Sequence, residues 1–289
     1  MTYLLHILIF INIYIIIAIS LNLIAGYTGI LSIAHAGFYG VGAYVSALMA
    51  VHFGTPFVLN LIFAMLFAGL VSAIVAIPSL RIHDDYLVIA TFGFQMILFS
   101  IFNNWVSVTR GSLGIPGIPQ PNLFGWQVSS HWEFLVLTGF LVILVYFFAR
   151  RLVQSPFGRV LKAIREDEIF AQSLGKNVTQ YKILVFVIGG ALAAISGSLY
   201  AHYVTFIDPT SFTILESIFM ISIVIVGGAG SLSGSIVGAV VLVVIPELLR
   251  FLGMPNAIAA NMRQIIYGGL LVLMMIFRPK GLVGEYEFK

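Results

Sequence analysis

The chain is 289 residues long, 60% hydrophobic and only 9% charged, with a formal net charge of +3. A water-soluble domain carries about a quarter charged residues to wet its surface, so a mean hydropathy of +1.08 excludes that class and calls for lipid as solvent. There is no cysteine, which excludes disulfides, thiol redox chemistry and thiolate metal sites. The basic residues lie between apolar runs and point to membrane orientation, not to nucleic acid.

About 20 apolar residues span a bilayer. The first such run, Leu4–Ala25, has no Lys or Arg ahead of it, unlike a secretory signal, and is predicted to be a retained transmembrane helix. Leu31–Val51 follows; it and the residues just before it are rich in small residues (Gly26, Gly29, Ala34, Ala36, Gly37, Gly40, Gly42, Ala43) that let neighbouring backbones approach closely. Ser32, His35, Tyr39 and Tyr44 are polar groups of this stretch and its candidates for a substrate pathway. An intramembrane ionisable group such as His35 is a functional candidate, although a lone His is more commonly a hydrogen-bonded helix contact. Asn22, Gln95 and Glu216 are weaker candidates, expected to bridge helices.

Phe57–Leu80 and Tyr86–Phe102 are the third and fourth runs, joined by His83-Asp84-Asp85, a polar connector or a metal-ligating cluster. The segment 103–131 holds Gly111, Gly114, Pro116, Gly117, Pro119 and Pro121, so it is predicted to be compact and turn-rich. After Trp132–Ala149 comes the most charged stretch, 150–182, with seven of the fourteen basic residues. Ser155-Pro156 is a helix start, and the spacing predicts one helix running to a stop at Gly175. It carries Val160, Ile164, Ala171 and Leu174 on one narrow apolar face. Such a helix either inserts that face into a partner's groove or rests on lipid headgroups.

Ile183–Val204, Ile214–Val226, Ile236–Leu252 and Ile265–Phe277 complete nine runs; the seventh and ninth are short, so the count is eight to ten spans. Gly227–Gly234 has no Lys and does not form a phosphate loop; a tight inter-helix turn is expected. The fold class is therefore an all-α polytopic bundle forming a single unit, 1–289. Cytoplasmic loops collect Lys and Arg. With nine crossings and the N-terminus outside, Arg81, Arg150, Arg151, Arg159, Lys162, Arg165, Lys176, Lys182, Arg278, Lys280 and Lys289 fall inside, and only Arg110, Arg250 and Arg263 outside. The C-terminus is then cytoplasmic, 150–182 an inner loop and 103–131 an outer one.

Six landmarks in order carry a resemblance. They are Gly26–Tyr44; Leu80–Tyr86 with Thr91 and Gly93; Thr109–Pro119; Arg159–Glu168 with Ala171 and Leu174-Gly175; Asp208-Pro209 with Gly227–Gly234; and Phe277–Leu282. Together they resemble the LivM-type permeases, membrane subunits of branched-chain amino acid ABC importers, more closely than the sister LivH type. The resemblance implies that Arg159, Val160, Ile164, Arg165, Glu168, Ala171, Leu174 and Gly175 form the coupling element that docks on ATP-binding subunits. Phe170 stands where that family usually carries alanine. It also implies a LivH-type second permease, two ATP-binding subunits that hold ATP and Mg, an extracytoplasmic substrate-binding protein, and a bacterial or archaeal plasma membrane. This chain itself would bind no cofactor and hydrolyse nothing. The alternatives are the same architecture carrying urea, short amides or other small organic acids, and an ion-coupled carrier, which usually places several ionisable groups within the membrane.

Overall fold

A computed structural model describes residues 2–80, 84–123, 125–251, 256–278 and 280–284. Arg81, His83 and Lys289 lie outside them, as do the side chains of Asp84, Asp85, Arg250 and Arg263. The helices are α1 (Thr2–Thr28), α2 (His35–Phe53), α3 (Phe57–Ser79), α4 (Asp84–Asn104), α5 (Val106–Thr109) and α6 (His131–Gln154). They continue as α7 (Pro156–Glu166), α8 (Glu168–Ser173), α9 (Val178–Val204), α10 (Ile214–Gly227), α11 (Leu232–Phe251) and α12 (Asn256–Phe277). Among the described residues six of these helices are long and apolar enough to cross a membrane, and the segments Ile214–Gly227, Leu232–Glu247 and Ile265–Met274 are shorter apolar helices. All nine coincide with the apolar runs of the sequence.

Helix α1 is apolar on every side, and a helix of that kind belongs in an interior. From Ile15 to Thr28 every residue is buried, with α6, α9, α10 and α11 packed around it. Helices α2, α3 and α9 pack beside it as a second group. Small residues decide how close they come. A Cβ on Gly42 would stand 2.4 Å from Ala194 Cα, and one on Gly197 2.1 Å from the Tyr39 carbonyl oxygen. Without a hydrophobic drive between helices in lipid, such close packing is what holds them. The outward faces of α3, α4 and α6 expose Leu66, Ile89, Val136 and Phe140, as lipid solvation requires.

The segment between α4 and α6 is compact. It contains the short α5, a 3-10 turn at Gly111–Leu113, and β1 (Ile115–Pro116), which pairs antiparallel with β4 (Phe206–Ile207) just after α9. A second antiparallel pair joins β2 (Asn122–Leu123) to β3 (Trp126–Gln127). His202 Nδ1 bonds the Pro119 carbonyl at 2.6 Å, and His6 Nδ1 meets Tyr203 Oη at 2.8 Å. The N-terminus of α1, this segment and the end of α9 thus share one end of the bundle.

The opposite end gathers the C-terminus of α1, helices α7 and α8, the α10–α11 turn and residues 280–284. Leu282 N and Val283 N donate to the Val226 and Gly227 carbonyls, each at 2.9 Å. The turn itself is tight, with Gly228 at φ 121 and Gly230 at φ 76, as expected for Gly227–Gly234.

Candidate functional site

The connection between α1 and α2 is a helix break inside the bundle. His35, the first residue of α2, bonds Ser20 through Nε2 at 2.7 Å, eight residues before the end of α1. The start of α2 is therefore sunk about 12 Å below that end. Backbone N–H groups at such a depth have no water to meet, and each left unpaired costs several kcal/mol. Ala34, the cap residue, offers no side-chain bond. Other helices supply the acceptors instead: Thr91 Oγ1 for Ile33 N (3.2 Å), Ser217 Oγ for Ala36 N (3.0 Å) and Gln95 Oε1 for Gly37 N (2.7 Å). Gln95 Nε2 then donates to the Phe212 carbonyl at 2.9 Å. Ser32 and His35 are fully buried in this break, and His35 Nδ1 has no hydrogen-bond partner.

Helix α10 is a half-span. Its 14 residues reach about 21 Å, short of the ~30 Å of hydrocarbon. Glu216 in its first turn accepts a hydrogen bond from Tyr14 Oη at 2.7 Å, and Tyr14 stands midway along α1. At the other end Gly230 N donates to Asn22 Oδ1 at 2.9 Å. So α10 runs parallel to α1 through half of the bundle, and residues 205–213 descend from the end of α9 to the midplane to meet it.

Beside this half-span opens a cleft of about 210 Å³ between α1, α10, α11 and α12, lined by His6, Phe10, Tyr14, Phe219, Glu247 and Tyr267 among others. Tyr3, His6, Phe10 and Tyr14 recur at helical spacing on α1 and form an accessible polar and aromatic stripe on its first half, beside the exposed Leu4 and Leu8. Tyr3 Oη donates to the Glu247 carboxylate. Phe219 meets Tyr14 edge-on at 5.1 Å and Tyr267 at 4.6 Å between ring centroids. Tyr39 packs against Tyr200 and Phe212 at 5.6 and 5.2 Å. Tyr44 stacks on Phe102 at 4.7 Å, with its hydroxyl unpaired. Of the four pathway candidates, then, Ser32 and His35 sit in the helix break and Tyr39 and Tyr44 in an aromatic cluster; none lines the cleft. Asn22 and Gln95 bridge helices as expected. Among the described residues no group of three or more His, Asp or Glu could hold a metal ion.

The charged segment at the other end departs from the single predicted helix. Ser155 caps α7, its Oγ accepting from Gly158 N at 3.4 Å, but Asp167 is extended (φ −158, ψ 107) and starts α8 by accepting from Phe170 N at 2.9 Å. A side-chain acceptor at this position competes with continued helix, and the chain turns. The turn folds Val160, Ile164 and Ala171 against Val178 and Tyr181 at the start of α9, so most of the expected docking face is used internally. Leu174 leaves that face and is exposed, together with Ile169 and Phe170. Gly175 ends the segment at φ 75.

The polar residues of this hairpin also tie it inward. Arg165 donates to the Gly26 carbonyl at 2.7 Å, at the end of α1, and Lys162 lies 5.7 Å above the Tyr27 ring. Glu168 accepts from Lys182 of α9 at 2.5 Å, the lysine side chain being 8% exposed. Arg159 is exposed. The hairpin is thus bonded to both α1 and α9 while offering an apolar tip.

An interior helix start, a half-span helix and apolar outer faces define a multi-pass membrane protein. The family described as "Branched-chain amino acid transport system / permease component" matches residues 3–275; the chain belongs to this permease family. It is 38% identical, over 94% of its length and 68% of the relative's, to the high-affinity branched-chain amino acid transport system permease protein LivM of Salmonella typhimurium. The Methanocaldococcus jannaschii protein described as a probable LivM is 28% identical over 96% of this chain and 92% of its own. The LivH permease of Salmonella typhimurium is 27% identical over 95% and 92%. No solved structure matches.

Proposed function

We propose that this chain is the LivM-type permease subunit of an ABC importer that moves branched-chain amino acids across the plasma membrane. It works beside a LivH-type permease, two ATP-binding subunits that supply the hydrolysis, and an extracytoplasmic binding protein. A zwitterion does not cross hydrocarbon alone, because burying its charges costs several kcal/mol or more; a permease offers polar partners in two alternating arrangements. Family membership supports the cargo class. The observation that carries the mechanism is the α7–α8 hairpin, with exposed Ile169, Phe170 and Leu174 at its tip and polar ties to α1 and α9 at its base. ATP-driven movement of a partner gripping that tip would reach both helices. The basic residues favour a cytoplasmic position for this end.

The test is Phe170→Asp in the purified complex of two permeases and two ATP-binding subunits, assayed for uptake with the binding protein. A charge at a buried anchor of an interface costs several kcal/mol, so co-purification of the ATP-binding subunits should fall severalfold and ATP-driven leucine uptake with it. Unchanged association and uptake would remove the tip from the interface.

A further inference from the structure

We infer that the cleft between α1, α10, α11 and α12 is the transit site for the substrate's ammonium group, read by Glu216 at mid-membrane and Glu247 nearer the mouth. The inference deepens the reading as an amino acid permease and rests on it. Three observations carry it.

The first is depth. Glu247 is bonded by Tyr3 and Glu216 by Tyr14. Those tyrosines are eleven residues apart on the accessible stripe of α1, roughly 16 Å along the axis. The two carboxylates therefore stand at successive levels of one face, the deeper one halfway along α1.

The second is charge. Among the described residues the side chains lining the cleft include Glu247, His6 and the rings of Phe10, Tyr14, Phe219 and Tyr267, and no Lys or Arg. Carboxylates and aromatic faces both favour a cation. The same rings present the apolar surface that an aliphatic side chain needs, so a zwitterion with a branched hydrocarbon tail is matched at two of its parts.

The third is accessibility. Glu216 retains accessible surface although it stands in the first turn of a mid-membrane helix. It stands one helical turn before Phe219, which lines the cleft, and bonds Tyr14, which lines it from α1. An acid held in hydrocarbon purely to bond Tyr14 would be better replaced by an amide; an intramembrane carboxylate held directly behind the wall of a polar cleft marks a pathway.

The experiment uses the complete importer in proteoliposomes with ATP, and reads leucine uptake and binding-protein-stimulated ATP hydrolysis side by side. Glu216→Gln is expected to lower uptake about tenfold or more, the worth of a charge-assisted bond, while stimulated hydrolysis stays within about twofold. Glu216→Asp keeps the charge and should recover a substantial part of the uptake, and Glu247→Gln should lose less than Glu216→Gln. Uptake by Glu216→Gln at the wild-type rate overturns the inference. So does a Glu216→Asp protein as impaired as Glu216→Gln with hydrolysis lost in both, since that is the signature of a packing role. A wild-type complex that binds the receptor but moves no branched-chain amino acid would instead sink the underlying reading of the cargo.

Discussion

Asn22 shows how much one polar side chain does inside this bundle. Its Nδ2 donates to the Ser231 carbonyl at 2.8 Å and to Ser235 Oγ at 2.7 Å, and its Oδ1 accepts from Gly230 N. Three bonds close the α10–α11 turn against α1, and Asn22→Leu strands the half-buried Gly230 N–H, whereas the Ser231 carbonyl keeps its bond from Ser235 N at 3.1 Å. A buried orphan costs about 1–3 kcal/mol; the thermal midpoint of the detergent-purified subunit should drop by several degrees. Gly197 makes the complementary point through space. Leu at that position drives a side chain into the Tyr39 carbonyl, 2.1 Å from its would-be Cβ, and overpacking costs about 1–3 kcal/mol. Gly93→Ala meets nothing within 4 Å and, by helix propensity alone, should stabilise by up to about 1 kcal/mol. Equal midpoints for Gly197→Leu and Gly93→Ala would contradict the close approach of α2 and α9. The sequence marks Asn22 and the small residues of 26–43 as packing elements, but not which carbonyl each one meets, because that depends on the pairing of distant helices.

At the scale of elements, hydropathy reveals all nine apolar helices, since lipid imposes their length and composition directly. It does not reveal depth. The start of α2 at His35 and the half-length of α10 follow from partners on other helices, Thr91, Gln95 and Ser217, which a one-dimensional profile does not connect. The cleft is half visible: Glu216 stands out as an acid within a run, whereas Tyr3, His6, Phe10 and Tyr14 are legible only as a polar and aromatic stripe along an apolar helix. Helical periodicity also overran Asp167, whose carboxylate caps α8. The price of that turn is offset by the Glu168–Lys182 pair. With Lys182 8% exposed and Glu168 37%, removing the acid leaves a largely buried cation, at a cost below the roughly 3–5 kcal/mol of a fully buried pair. The chain has no cysteine, so a spin label on Ser173→Cys reports α8 alone. Glu168→Gln should raise the label's mobility markedly, and an unchanged spectrum would mean that the apolar contacts of Ile164, Ala171 and Val178 hold α8 unaided.

For the whole molecule the remaining question is which end faces the cytoplasm. The structure puts 280–284, α7, α8 and the α10–α11 turn at one end, and the Asn122–Gln127 hairpin with the start of α1 at the other. The eleven-to-three division of basic residues is the ground on which we propose that the first end faces inside. The absence of cysteine again makes the measurement clean. In intact cells a membrane-impermeant maleimide should label Ser129→Cys, which is exposed beside that hairpin, and should leave Ser173→Cys untouched until the cells are permeabilised. The reverse pattern would put the α7–α8 tip outside, beyond reach of any cytosolic ATPase. The coupling reading would then fail while every intramolecular contact described above stood unchanged, because orientation comes from charge near the membrane and not from the packing of the helices.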